Sequence, residues 1–294
     1  MDEPPPPAAA TVAPPPPHAE AADEAASMPA PDAEPALPPA SGSSLERMLG
    51  LLDLFTEERP TWSVERIRAH LGLTQTTAYR YLQRLSRTGL LAPAGGSSAY
   101  SLGRRIVQLD RQMRRTDPLL RHGVPVMVAA RPELQGMFLL ARHYGDHVLC
   151  IHQEVTDPAI ASSMERGRPM ALFHGAAPRV VLAHLPAHRL RGLMSRHAER
   201  IRAAGLGEDW DGFRRGLKAV RAEGTCVAVG EVDAGNVGVA APIFRAPGAV
   251  VGAISVATTA GRFAREDHDR LRALARRIAG EISRAVMRGE AGAG

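Results

Sequence analysis

The sequence predicts an α+β protein. A small three-helix unit with a β-hairpin leads, through a connecting helix, into a larger domain built on an antiparallel sheet with flanking helices. Three observations predict it. Apolar residues recur at helical spacing in three short runs before residue 89, with glycines at 72 and 89 as stops. The stretch GLLAPAGGSSAYSLGRR that follows reads as strand, glycine turn, strand. Beyond residue 118, strand-like runs around Gly-Asp, Ala-Gly and Pro-Gly turns are interspersed with longer helical patterns.

Composition narrows the class. The chain has 294 residues, long enough for two domains with cores of their own. No run of about 18 apolar residues occurs, which predicts no membrane span. The N-terminus lacks a basic segment followed by an apolar one, so no secretory signal is expected. Cys150 and Cys226 form no CxxC pattern and suit a reducing compartment; the expected location is the cytoplasm. The formal net charge is +5, yet residues 1–40 carry seven acids and no Lys or Arg, leaving +12 on the rest. A basic body points to a polyanionic partner.

Residues 1–42 read as a disordered Pro/Ala-rich tail, because 13 of the 24 prolines lie in the first 40 residues with few large apolar side chains. Order is expected from SSLERMLGLLDLF, with Ser44 as N-cap and Leu45, Met48, Leu49, Leu52 and Phe55 on the inward face. A second helix follows Ser63, with Val64, Ile67 and Leu71 inward, and stops at Gly72. Thr74 caps a third helix whose apolar positions are Ala78, Tyr81, Leu82 and Leu85 and whose stop is Gly89. Three helices with a glycine turn and a following hairpin are the pattern of a winged helix-turn-helix, expected over residues 43–104.

The helical period forces the opposite side of the third helix outward. Gln75, Thr76, Tyr79, Arg80, Gln83 and Arg87 stand there. Such side chains match base edges and phosphates: Gln pairs with adenine, Arg with guanine, Thr with the thymine methyl. Residues 74–115 hold eight arginines and one acid, Asp110. The expected DNA-contacting set adds Ser44, Thr74, Thr77 and Arg84, with Ser98, Tyr100 and Arg104 from the wing and its exit. Residues 105–117 are expected as a linker helix whose short apolar stripe, with Ile106, Leu109 and Met113, either packs on its own domain or pairs with a second copy.

The second domain is expected over residues 118–289. QGMFLLARHYGDHVLCIHQEV reads as two strands around Gly-Asp, and AIASSME as a third. Helices are expected from HGAAPRVVLAHLP and over about 187–203 and 208–222. Three more strands follow in 225–259. A last helix spans about 264–288 with Leu271, Leu274, Ile278 and Ile282 inward.

Several segments together resemble the IclR (isocitrate lyase regulator) family of bacterial transcription factors. They are SSLERMLGLLDLF, LGLTQTTAYRYLQRLSRTGLL, YSLGRRIVQL, RGRPMALFHGAAPRVVLAHLP, GEVDAGNVGVAAPIF and VVGAISV. The resemblance covers about residues 43–288. It implies an N-terminal winged helix, a GAF-like effector-binding domain, and homodimers, often paired into tetramers, on roughly palindromic double-stranded promoter DNA. It also implies a small carboxylate effector, held by backbone amides near His174, Gly175 and Ala176 and by strand positions 238, 255 and 257. Here those are Gly238, Ser255 and Ala257, so the resemblance implies a larger and less polar pocket, with Phe173 as a candidate stacking wall and Glu231 and Asn236 at its mouth. The chain departs from the family's usual sensor-helix start at Ala171-Leu172-Phe173 and Pro178-Arg179.

Other chemistries find little support. His143, His147 and His152, and His184 with His188, show no carboxylate or thiolate at ligand spacing, so no metal and no cofactor is expected. Ser162, Ser163 and the two cysteines have no recognisable base partners, and no enzyme is expected. The alternative to a DNA-binding regulator is a sensor or adaptor whose winged helix binds protein.

Overall fold

The computed structural model describes residues 43–95, 98–264 and 268–291. The proline-rich stretch 1–42 lies outside the described residues. Helix α1 (Ser44–Leu49) is capped by Ser43, not Ser44: the Ser43 hydroxyl accepts from Glu46 N–H at 3.2 Å, and Glu46 accepts from Ser43 N–H at 2.6 Å. This capping box requires the Glu three residues after the cap, which selects Ser43. Ser44 is already helical, its hydroxyl 2.8 Å from that of Tyr81. The expected inward face also shifts. Leu45 is 59% exposed and Leu49 44%, while Leu51 and Leu54 are fully buried. The chain tightens into a 3₁₀ turn over Gly50–Leu54, where three residues per turn replace 3.6 and rotate the buried face.

Short strand β1 (Trp62–Ser63) leads into α2 (Val64–Leu71), capped by the Ser63 hydroxyl. Gly72 ends α2 at φ 61°, a left-handed conformation that glycine adopts without Cβ strain. Thr74 caps α3 (Gln75–Arg87) by accepting from Thr77 N–H. Ala78, Tyr81, Leu82 and Leu85 of α3 are buried against Leu51, Leu54 and Ile67. Strands β2 (Leu91–Ala94) and β3 (Ala99–Leu102) pair antiparallel, and β1 joins β3 through Trp62 opposite Tyr100. Helix α4 (Arg104–Thr116) follows directly.

Asp117 ends that helix, its N–H donating to Met113 C=O at 2.8 Å, and its side chain also caps the next one, α5 (Pro118–Ala130), which the sequence had not disclosed. Strands β4 (Met137–Tyr144), β5 (His147–Val155), β6 (Pro169–Met170), β7 (Cys226–Val229), β8 (Asn236–Ala246) and β9 (Ala249–Thr259) form one sheet in the order β6-β5-β4-β9-β8-β7. All neighbours are antiparallel. Between β6 and β7 lie α6 (Ala176–Ala183), α7 (Ala187–Ala203) and α8 (Trp210–Glu223). After β9 come α9 (Ala260–Phe263) and α10 (His268–Ala291). Alternation along the strands splits the core in two. Phe138, Leu140, Ile254 and Val256 pack on α5 and on Leu271, Leu274, Ile278 and Ile282 of α10. Met137, Leu139, Ala253 and Ala257 face α6, α7 and α8.

One expected strand is absent. AIASSME is an irregular loop between β5 and β6. Its polar groups bond side chains rather than a neighbouring strand. Ser163 N–H donates to Asp233 at 2.9 Å, Ala161 C=O accepts from Asn236 at 2.5 Å, and Ser163 C=O accepts from Arg168 at 2.7 Å.

Candidate nucleic-acid interface and ligand cavity

The α3 surface follows from its burial. With four residues locked inward, Gln75, Thr76, Tyr79, Arg80, Gln83, Arg84 and Arg87 are exposed together. No acid lies in α3. Thr74 is exposed at the cap, and its hydroxyl donates to that of Thr77, which is half-buried. In the wing Ser98 is exposed, and its C=O accepts from Val64 N–H, tying the hairpin to the start of α2. Tyr100 is half-buried against the winged-helix core, and Arg104 is exposed at the first turn of α4. Ser44 is turned to Tyr81.

A cavity of about 60 Å³ lies between the sheet and the start of α6. Gly175, Ala176, Glu231, Asn236, Gly238, Ser255 and Ala257 of the expected effector set line it. Phe173 and His174 do not. Phe173 is 1% exposed in the core, beside His197 and under the Arg200 guanidinium, so it is no stacking wall. The half-buried His174 only closes a turn with Ala171 through its N–H. The sequence missed the apolar lining, Met137, Leu139, Met164 and Met170, and the polar Ser162 and Asp233. Strand alternation on β4 could have flagged Met137 and Leu139. Met164 lies in the loop mistaken for a strand.

The start of α6 faces this cavity without a side-chain cap. Gly175 has φ 82°, and a Cβ there would lie 2.9 Å from Val232 Cγ2, so only glycine lets the β7–β8 loop close on the helix. Gly175 N–H donates to Glu231 Oε2 at 3.0 Å, and Arg179 donates to Glu231 Oε1 at 2.7 Å. Ala176 and Ala177 N–H have no hydrogen-bond partner among the described residues, as the free first turn of a helix requires. Ser255 is 7% exposed and lines the cavity, and its hydroxyl likewise has no partner among the described residues. Asp233 accepts from the Ser162 hydroxyl and Ser163 N–H, both at 2.9 Å, binding the β7–β8 loop to the β5–β6 loop. On the latter loop Arg166 bonds Asp110 of α4 and holds that carboxyl below its usual range.

Two expectations about isolated groups change. His152 does meet a carboxylate, Glu154 at 2.9 Å, because residues two apart on a strand share a face. Ser162 does meet an acid, Asp233, from 71 residues away. Burial pushes the Cys150 thiol up to about 11, which leaves it protonated and unreactive at neutral pH.

Residues 125–284 match the family described as bacterial transcriptional regulator IclR C-terminal, and residues 44–94 match the IclR helix-turn-helix domain. This chain belongs to the IclR family. Among curated relatives, the Pca regulon regulatory protein of Pseudomonas putida is 26% identical over 226 residues, 76% of this chain and 77% of the relative. The HTH-type transcriptional regulator KdgR of Escherichia coli K12 is 24% identical over 251 residues, 78% of this chain and 86% of the relative. An IclR homologue from Microbacterium hydrocarbonoxydans, solved in complex with 4-hydroxybenzoate, superposes with a TM-score of 0.68 at 21% identity, covering 83% of this chain and 99% of that one. An IclR transcriptional regulator from Alicyclobacillus acidocaldarius does so with a TM-score of 0.68 at 21% identity, covering 83% and 98%. The IclR architecture joins a helix-turn-helix domain for DNA to a C-terminal domain for an effector, and the relatives are named as regulators rather than enzymes. Among the described residues no helix is long and apolar enough to cross a membrane.

Proposed function

We propose that this IclR-family chain is a sequence-specific transcriptional regulator of a catabolic operon, controlled by a small, partly apolar carboxylate bound in the α6 cavity. Residues 43–104 read the DNA, 105–117 link, and 118–289 hold the effector. The observation that carries the reading is the cavity itself. Two unpaired α6 amides and the unpartnered hydroxyl of the buried Ser255 face a wall of three methionines. Amides at a helix start favour an anion, and methionine surrounds an apolar body without demanding one shape. The relative bound to 4-hydroxybenzoate supports an aromatic acid of that kind.

The exposed Gln75, Thr76, Arg80 and Gln83 form the DNA-reading set. An adaptor that binds protein has no need of such an acid-free, arginine-bearing face. Val107, Leu109 and Met113 of α4 are 72%, 38% and 49% exposed. That apolar stripe supports a homodimer, itself able to pair into a dimer of dimers, and hence a roughly palindromic site. Two unpaired thiols suit the cytoplasm.

The test joins both halves. Promoter DNA from the adjacent operon is titrated with the protein across a salt series, with and without 4-hydroxybenzoate, in wild type and Ala257→Trp. Affinity falls steeply with salt as counterions are released, and the ligand shifts it in wild type only. A flat salt response removes the DNA reading. Ligand binding that survives Ala257→Trp undiminished places the effector elsewhere.

A further inference from the structure

Resting on the carboxylate reading of the α6 cavity, one residue there acquires a role beyond lining it. We propose that Glu231 is a tethered occupant of the effector's carboxylate seat, exchanged for the ligand's carboxylate on binding, and that it thereby sets which carboxylates the cavity accepts.

The seat is already filled by a carboxylate. Glu231 takes Gly175 N–H with one oxygen and the Arg179 guanidinium with the other, so both donors come from the start of α6. This is the group that the positive end of a helix would bind from solution. It reaches the seat from the β7–β8 loop, 56 residues away in sequence from Gly175. The seat is also incompletely used. Arg179 Nε is buried with no partner, and the N–H groups of Ala176 and Ala177 and the hydroxyl of Ser255 likewise have none among the described residues.

Charge decides between exchange and addition. None of the residues lining the cavity is Lys, Arg or His, while two are acids, Glu231 and Asp233. A ligand carboxylate added beside both would set three negative charges around the Arg179 guanidinium that holds Glu231. Exchange keeps the count at two. The Glu231 side chain is 24% exposed, so it has water to turn into once released. Asp233 cannot substitute for it, because its oxygens hold the β5–β6 loop through Ser162 and Ser163.

A tethered competitor acts as a filter. Its effective concentration at the seat is high, so a ligand that offers a carboxylate and nothing more loses to it. A ligand whose apolar body also gains the Met137, Met164 and Met170 wall wins. Selection against small anions such as acetate is therefore built into the resting state, by the same logic as any specificity that rests on a competing interaction.

Calorimetry on the full chain tests this with 4-hydroxybenzoate, its uncharged analogue 4-hydroxybenzamide, and acetate. Glu231→Ala binds both carboxylates about tenfold or more tighter than wild type and leaves the amide unchanged. Glu231→Gln, which keeps the hydrogen-bond acceptor and so guards against a folding defect, tightens carboxylates by a smaller factor. Adding Arg179→Met to Glu231→Ala removes the gain. If both Glu231 variants bind carboxylates no tighter than wild type, Glu231 is a fixed strut and the exchange is overturned, while the cavity reading stands. If Ala257→Trp fails to weaken binding in the Glu231→Ala background, the cavity reading itself is wrong. If no carboxylate binds wild type or Glu231→Ala, both fall.

Discussion

Two helix starts in this chain present the same physical resource and treat it oppositely. At the start of α3 the cap comes from the residue immediately before it, Thr74, whose hydroxyl accepts from Thr77 N–H. The helix then stands open to solvent with Gln75, Thr76 and Arg80 beside it. At the start of α6 the cap position is a glycine, and the first N–H is satisfied by Glu231 from across the domain. Both ends attract anions through unpaired amides and the helix dipole. The locally capped, arginine-flanked end suits an extended polyanion read from outside. The end closed by a distant loop suits one small anion admitted by exchange. Where the cap comes from, near or far in sequence, separates a reading surface from a regulated pocket.

The comparison breaks most visibly if the α3 face loses its support. Leu82 is fully buried under that face. Leu82→Ala should cost about 2–5 kcal/mol of winged-helix stability. Thermal unfolding should show the loss, and DNA binding should vanish while carboxylate binding by the second domain persists. Simultaneous loss of both activities would mean that the two regions do not function separately.

A smaller effect sharpens the assignment of the exposed side chains. Gln75→Ala or Arg80→Ala should weaken binding to the cognate site by about 1–3 kcal/mol if the residue reads a base. A residue that only meets phosphate would weaken cognate and scrambled DNA alike and flatten the salt dependence. Wild-type affinity in both variants, with melting temperature unchanged, would take this face out of the interface.

The smallest expected change concerns the cap. Thr74→Ala should cost about 1 kcal/mol of winged-helix stability, because one first-turn N–H loses its acceptor. Thr74→Ser should restore it. The same pair of variants leaves carboxylate binding untouched, since nothing at the start of α6 depends on Thr74. Calorimetric melting of the three proteins reads the difference.

Much of the α3 face could be written from the sequence. Its period is carried by Ala78, Tyr81, Leu82 and Leu85, its start by Thr74 and its end by Gly89, all within sixteen residues. Interactions that close within one helical turn leave a pattern along the chain. Strands β4, β5, β7, β8 and β9 were legible for the same reason, as alternation and turn chemistry are local, whereas the two-residue β6 was not and AIASSME was misread. The errors near the N-terminus were local too. Ser43 wins the cap because Glu46 sits three residues on, and a 3₁₀ turn rotates the face that Leu45 and Leu49 would have shared.

The cavity was legible only where the resemblance supplied positions such as Gly175, Gly238 and Ser255. Nothing along the chain marks Glu231 as the partner of Gly175 and Arg179, or Asp233 as that of Ser162, for each pair is separated by more than 50 residues. Phe173 is apolar beside the expected seat and still points into the core, because α7 folds back and places His197 and Arg200 against its ring. Periodicity, caps and glycine stops are written into neighbouring residues, so most helices and strands and the outward face of α3 were settled before the chain folded, although α5 and the loop over AIASSME were not. Which carboxylate closes α6, and which side chains share its cavity, depends on loops meeting across the sheet. That meeting is governed by packing and charge between distant segments, which no local pattern encodes.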